Sequence, residues 1–75
     1  MTKLSDLKAG QQATIRSVSD EEIGIVLTEM GCRPGVEVRV EHVAPLGDPM
    51  ALAVSGQLIS LRKQLASLVE VDLLV

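Results

Sequence analysis

The sequence contains no Phe, Tyr or Trp, a single cysteine, Cys32, and a single histidine, His42. Without aromatic rings there are no platforms on which the bases of a nucleic-acid strand stack. Ten acidic residues against seven basic ones give a net charge of -3, which repels a phosphate backbone, so nucleic acid is not expected as a partner. A lone cysteine forms no internal disulfide, which fits a reducing compartment. No stretch approaches the roughly 20 apolar residues of a membrane span, and "MTKLSDLKAG" lacks the apolar run of a secretion signal. The expectation is a cytoplasmic protein with no direct membrane insertion.

Catalytic groupings are missing as well. Nucleophilic catalysis needs a nucleophile, a base and an orienting group within hydrogen-bond reach, and Cys32 with His42 is the one pair of that kind. A zinc site ordinarily draws on three or four clustered ligands, more than one Cys and one His supply. No run matches the phosphate-cradling G-x-x-x-x-G-K-[ST] pattern. The residues therefore point to a protein that is not an enzyme, with no cofactor and no metal-ligand set.

What is present is aliphatic. Hydrophobic residues make up 47% of the 75 positions, so the core is built from Leu, Val, Ile, Ala and Met. A chain of this length is one domain, burying only roughly 60% of the surface that its unfolded form exposes, and β-branched side chains suit a pleated surface. "LSDLKAGQQ" reads as one helical turn followed by a tight turn. "ATIRSV" alternates as a strand, and Val18 breaks the alternation, which predicts a bulge near Ser17. Ser19 and Glu22 have capping-box spacing. Ile23, Val26, Leu27 and Met30 follow at helical spacing, predicting one helix with that stripe facing the core. Gly24 inside it costs about 1 kcal/mol relative to alanine.

"EMGCRPGVEV" then changes rhythm. Gly31 suits a left-handed helix end, Pro34 and Gly35 suit the centre of a type II turn, and Val36, Val38 and Val40 begin an alternating strand. "APLGDP" is a loop in which Asp48 suits an Asx turn. "MALAVS" and "LISLRK" are strands around a turn at Gly56 and Gln57, Gln64 to Ser67 is a helical turn, and "LVEVDL" is the closing strand. Five short strands with one inserted helix predict a mainly β fold, a small five-stranded antiparallel barrel, since closure removes exposed edges; a flat open sheet with the helix on one face is the alternative. Met30, Leu46 and Met50 lie in or beside turns and Leu73 to Val75 extend past the alternation, an apolar supply that suits either plugs for the two ends of an aromatic-free barrel or a binding surface.

In this order and at these spacings, "EMGCRPGVEV", "APLGDP" and "ISLRKQLASLVEV" resemble the FeoA family of ferrous iron transport proteins, over nearly the whole chain from Leu4 to Val71. Glu29, Met30, Gly31, Pro34 and Gly35 match its helix-turn signature. Pro45, Leu46, Gly47, Asp48 and Pro49 match its loop, and Leu61, Arg62, Lys63 and Ala66 its late signature. Cys32 stands where a larger aliphatic residue is expected, and Leu65 where an acidic one often precedes Ala66.

The resemblance implies that residues 1–75 form a single SH3-like domain. It also implies an accessory or regulatory protein of iron transport that docks on the cytoplasmic part of the GTP-binding permease FeoB. The expected contact residues are Met30, Pro34, Leu46, Asp48 and Met50, with room left for weak homo-oligomers. The alternative is an Fe(II)-binding sensor or chaperone using Cys32 and His42.

Overall fold

In the computed structural model, which describes residues 2–74, one antiparallel sheet carries the chain. Its strands are β1 (Thr2–Lys3), β2 (Gln12–Val18), β3 (Glu37–Val43), β4 (Met50–Val54), β5 (Gln57–Leu61) and β6 (Val69–Leu74). Their order across the sheet is β1-β6-β2-β3-β4-β5. Helix α1 (Glu21–Glu29) is inserted between β2 and β3, and helix α2 (Lys63–Ala66) between β5 and β6.

The mainly β, SH3-like reading holds, with six strands in place of five. The additional strand is the two-residue β1, paired through Thr2 with Val71 and Lys3 with Glu70, and two residues are too few to show an alternation. Alternation places the core: Ala13 and Ile15 of β2, Val38 and Val40 of β3, Met50, Leu52 and Val54 of β4, and Val69 and Val71 of β6 are all buried. Among the described residues β1 and β5 are the two ends of the sheet and do not pair with each other. The 3-10 turn Leu4–Asp6, which follows β1, packs on α2, which follows β5, and Leu4 and Ala66 there are completely buried.

The predicted bulge lies one residue earlier than Ser17. The β2–β6 register shifts at Arg16, between Ile15, opposite Val71, and Ser17, opposite Glu70. Arg16 reaches Asp72 at 3.6 Å on the exposed side. Past the bulge, Val18 pairs with Val69 and is half-buried against the core.

The hairpin turn also moves by one residue. Val54 continues the buried alternation of β4, so the turn is Ser55–Gly56, and Val54 pairs with Gln57. Both turn residues have positive φ, 50° and 79°, as a type I′ turn requires.

Candidate functional site

The chain enters α1 differently from the capping box that Ser19 and Glu22 suggest. Ser19 is held by the turn before β6, where its N–H donates to the Leu68 carbonyl at 2.8 Å and its hydroxyl donates to the same oxygen at 3.2 Å. The helix therefore starts one residue later. Asp20, in extended backbone, is the N-cap, its Oδ1 accepting from the Ile23 N–H at 3.0 Å. Glu21 and Glu22 occupy the first turn, where the helix dipole favours negative charge.

The helix ends as "MGCRPG" predicts. The Cys32 N–H donates to the Leu27 carbonyl at 2.7 Å and the Gly31 N–H to the Thr28 carbonyl at 3.0 Å, the paired bonds of a Schellman motif, with Gly31 at φ 95°. Leu27 and Cys32 both have no solvent exposure, which gives the motif its apolar contact. The next turn follows at once: Gly35 has φ 92° and the Val36 N–H donates to the Arg33 carbonyl at 3.1 Å, as in a type II turn. It is fastened to β2 by the Gly35 N–H donating to the Ile15 carbonyl and the Ile15 N–H donating to the Val36 carbonyl, at 2.8 and 2.9 Å.

The helix is not buried along the whole expected stripe. Leu27 is in the core, and Ile23 and Met30 pack against it, but Val26 is 47% exposed. Ile25, one residue earlier on the helix, is 64% exposed and faces a shallow groove of about 380 Å³. The groove has Val18, Gly24, Ile25 and Pro34 as apolar lining, with Asp20, Glu21, Thr28 and Glu29 among its polar lining. A Cβ built on Gly24 would meet Val18 at 3.7 Å, an ordinary contact, so internal packing does not require a glycine there. Its missing side chain enlarges the groove.

The "APLGDP" loop is organised by the Gly47 N–H donating to the Ala44 carbonyl at 2.7 Å, with Gly47 at φ 85°. Asp48 caps no amide of its own loop; its Oδ1 accepts from the Lys63 N–H at the start of α2, at 2.9 Å. Leu46 at the loop tip is 93% exposed.

The residues expected as contacts thus separate. Met30 is half-buried at the end of α1, Pro34 is exposed on the groove, and Leu46 and Asp48 are exposed on the loop. Met50 is 2% exposed and belongs to the core of β4, where its alternation with Leu52 and Val54 places it. Its side chain offers nothing to a partner while the sheet is intact. Sequence reasoning missed Ile25, because a helical stripe read from Ile23 assigns the neighbouring isoleucine no role. The signal was there in Ile25 itself, a large aliphatic residue off the core stripe. Leu73 and Leu74 are partly exposed members of β6 rather than an extension beyond it, and Val75 lies outside the described residues.

Cys32 and His42 have opposite environments. The thiol is completely buried, and burial pushes its pKa above the ordinary cysteine value, whereas His42 is exposed on β3. Among the described residues no group of three or more His, Cys, Asp or Glu side chains is arranged to hold a metal ion. No helix among them is long and apolar enough to cross a membrane.

Comparison with known proteins gives a consistent result. The FeoA domain family matches residues 2–73. The FeoA protein from Chlorobium tepidum, solved by NMR, is 35% identical with a TM-score of 0.89, covering 99% of this chain and 71% of that one. Iron(II) transport protein A from Clostridium thermocellum is 39% identical with a TM-score of 0.90, covering 97% of this chain and 46% of that one. The FeoA of Stenotrophomonas maltophilia, crystallised with zinc, is described as a prokaryotic SH3 domain protein and a candidate activating factor of bacterial ferrous iron transport. It is 32% identical with a TM-score of 0.83, covering 96% of this chain and 91% of that one. No curated protein sequence gives a significant match.

Proposed function

The chain belongs to the FeoA family of ferrous iron transport accessory proteins, and from that premise we propose that it acts by docking, without catalysis, on the cytoplasmic part of the GTP-binding permease FeoB. The observation that carries this reading is the apolar surface that the fold leaves outside. Leu46 at 93% and Ile25 at 64% exposure are large aliphatic side chains held out on ordered turns and helix, in a domain small enough to gain from burying them. A contiguous exposed apolar patch on a small protein marks a place where another protein binds, and the groove lined by Val18, Ile25 and Pro34 offers one.

The proposed contacts lie at the two ends of β3: before it, the end of α1 with Met30 and Pro34 and the groove beside Ile25; after it, the loop bearing Leu46 and Asp48. On this reading the protein works at the cytoplasmic face of the membrane, contributing shape and no reactive group. Binding to the permease alters its conformational equilibrium only by the difference in affinity for the permease's states. Affinity recovery from bacterial membranes tests it: tagged protein is expected to bring down FeoB, and Leu46→Asp is expected to weaken recovery while far-ultraviolet circular dichroism stays unchanged. Failure of the wild-type protein to recover FeoB, with and without guanine nucleotide, overturns the reading.

A further inference from the structure

The two ends of the sheet are protected very unequally. Strand β1 is two residues long and carries Lys3, and shortness and an edge lysine are both devices that discourage further pairing. Strand β5, "QLISL", has neither: it holds five residues, no charge and no proline, and its register with β4 is unbroken by any bulge. Among the described residues β4 is the one strand that pairs with it.

The hairpin fixes which backbone groups are free. Val54 and Gln57 flank a two-residue turn and form a hydrogen-bonded pair, so pairs alternate from there: Leu52 with Ile59 is bonded, while Ala53 with Leu58 and Ala51 with Ser60 are not. The N–H and C=O groups of Leu58 and Ser60 therefore point away from β4. Both residues are exposed, Leu58 at 68%.

We propose that this edge pairs with the β5 edge of a second copy of the chain, antiparallel about a two-fold axis through Ile59. That register sets Leu58 opposite Ser60 of the second copy and Ser60 opposite its Leu58, so every outward group of both residues finds a partner. It also makes the contact self-complementary, as a two-fold interface must be. Local charge does not oppose this pairing. In this register Arg62 and Lys63 of one copy come opposite Gly56 and Ser55 of the other, so like charges do not meet. The remaining obstacle is the repulsion between two bodies of net charge -3 each, which salt screens. The interface is small and of the transient class. The inference is independent of docking on the permease.

Sedimentation and NMR over a concentration series test the pairing in the wild-type protein. The weight-average mass is expected to rise toward twice the monomer value, more steeply at higher ionic strength, with the concentration-dependent amide shifts centred on Leu58 and Ser60. Ser60→Pro removes only an outward donor, where an edge strand tolerates proline, and is expected to abolish the rise. Leu58→Lys, which leaves the backbone unaltered and adds an edge charge, is expected to do the same should the proline variant prove unfolded. A monomer at every concentration, or association unaffected by the folded variants, overturns the proposal.

Discussion

The Oδ1 atom of Asp48 accepts a hydrogen bond from the backbone N–H of Lys63 at 2.9 Å, tying the tip of one loop to the first residue of α2. A Cβ added at Gly47 would come within 3.8 Å of the Lys63 Nζ, so the same two segments are close along their length. Asp48→Ala is expected to cost about 1 kcal/mol, the usual loss for an acceptor at a helix start. In a domain of this size that lowers Tm by about 4–8 °C. Asp48→Asn, which keeps the acceptor oxygen, is expected to lose much less. Thermal denaturation of the two variants checks the difference.

Gly31 and Gly24 predict opposite outcomes for one kind of substitution. At φ 95° Gly31→Ala forces an L-residue into left-handed backbone, at a cost of about 1–2 kcal/mol. Gly24 sits in ordinary helix with only Val18 nearby at 3.7 Å, so Gly24→Ala is expected to stabilise by up to about 1 kcal/mol. The same methyl group narrows the groove beside Ile25, so a more stable protein is expected to bind the permease less well. Chemical denaturation paired with affinity recovery separates the two effects.

Ile25→Asp removes an exposed aliphatic side chain from the groove without touching the core. Stability is expected to change by no more than about 0.5 kcal/mol, as for surface positions away from special features, while permease recovery falls. Unchanged recovery would take the groove out of the proposed contacts and leave Leu46 as their centre.

Cys32 gives the alkaline behaviour its sign. The folded state holds the thiol protonated above the value of the unfolded chain, so the unfolded state binds fewer protons once pH passes the ordinary cysteine value of about 8.5. This contribution is fully present below that pH and is lost as pH rises toward the folded pKa, at up to about 1.4 kcal/mol per pH unit. The sequence has no tyrosine to titrate in the same window. Cys32→Ala is expected to flatten this part of the stability profile measured by urea denaturation between neutral and alkaline pH.

Much of this molecule is legible before any coordinates, for reasons that differ by element. Gly31, Pro34 and Gly35 announce their turns because few residues tolerate those backbone angles, and the valines of β3 announce a strand because one face must be buried. The cap of α1 was misread because Ser19 and Asp20 carry equally suitable oxygens. Only the distant Leu68 carbonyl, which takes the Ser19 hydroxyl, decides between them. Met50 was misplaced for a related reason: a residue beside a loop has no fixed side until its pairing with Leu61 sets it. The groove was illegible because it lies between residues far apart in sequence, Val18 and Pro34, brought together by two turns.

Strand β6 lies between β1 and β2, although it is the last of the six along the chain. The opening residues Thr2 and Lys3 therefore wait for Val71 and Glu70 before they have any ladder to join. Pairing between strands so far apart in sequence slows folding, because the entropy of closing the long loop is lost before the ladder forms.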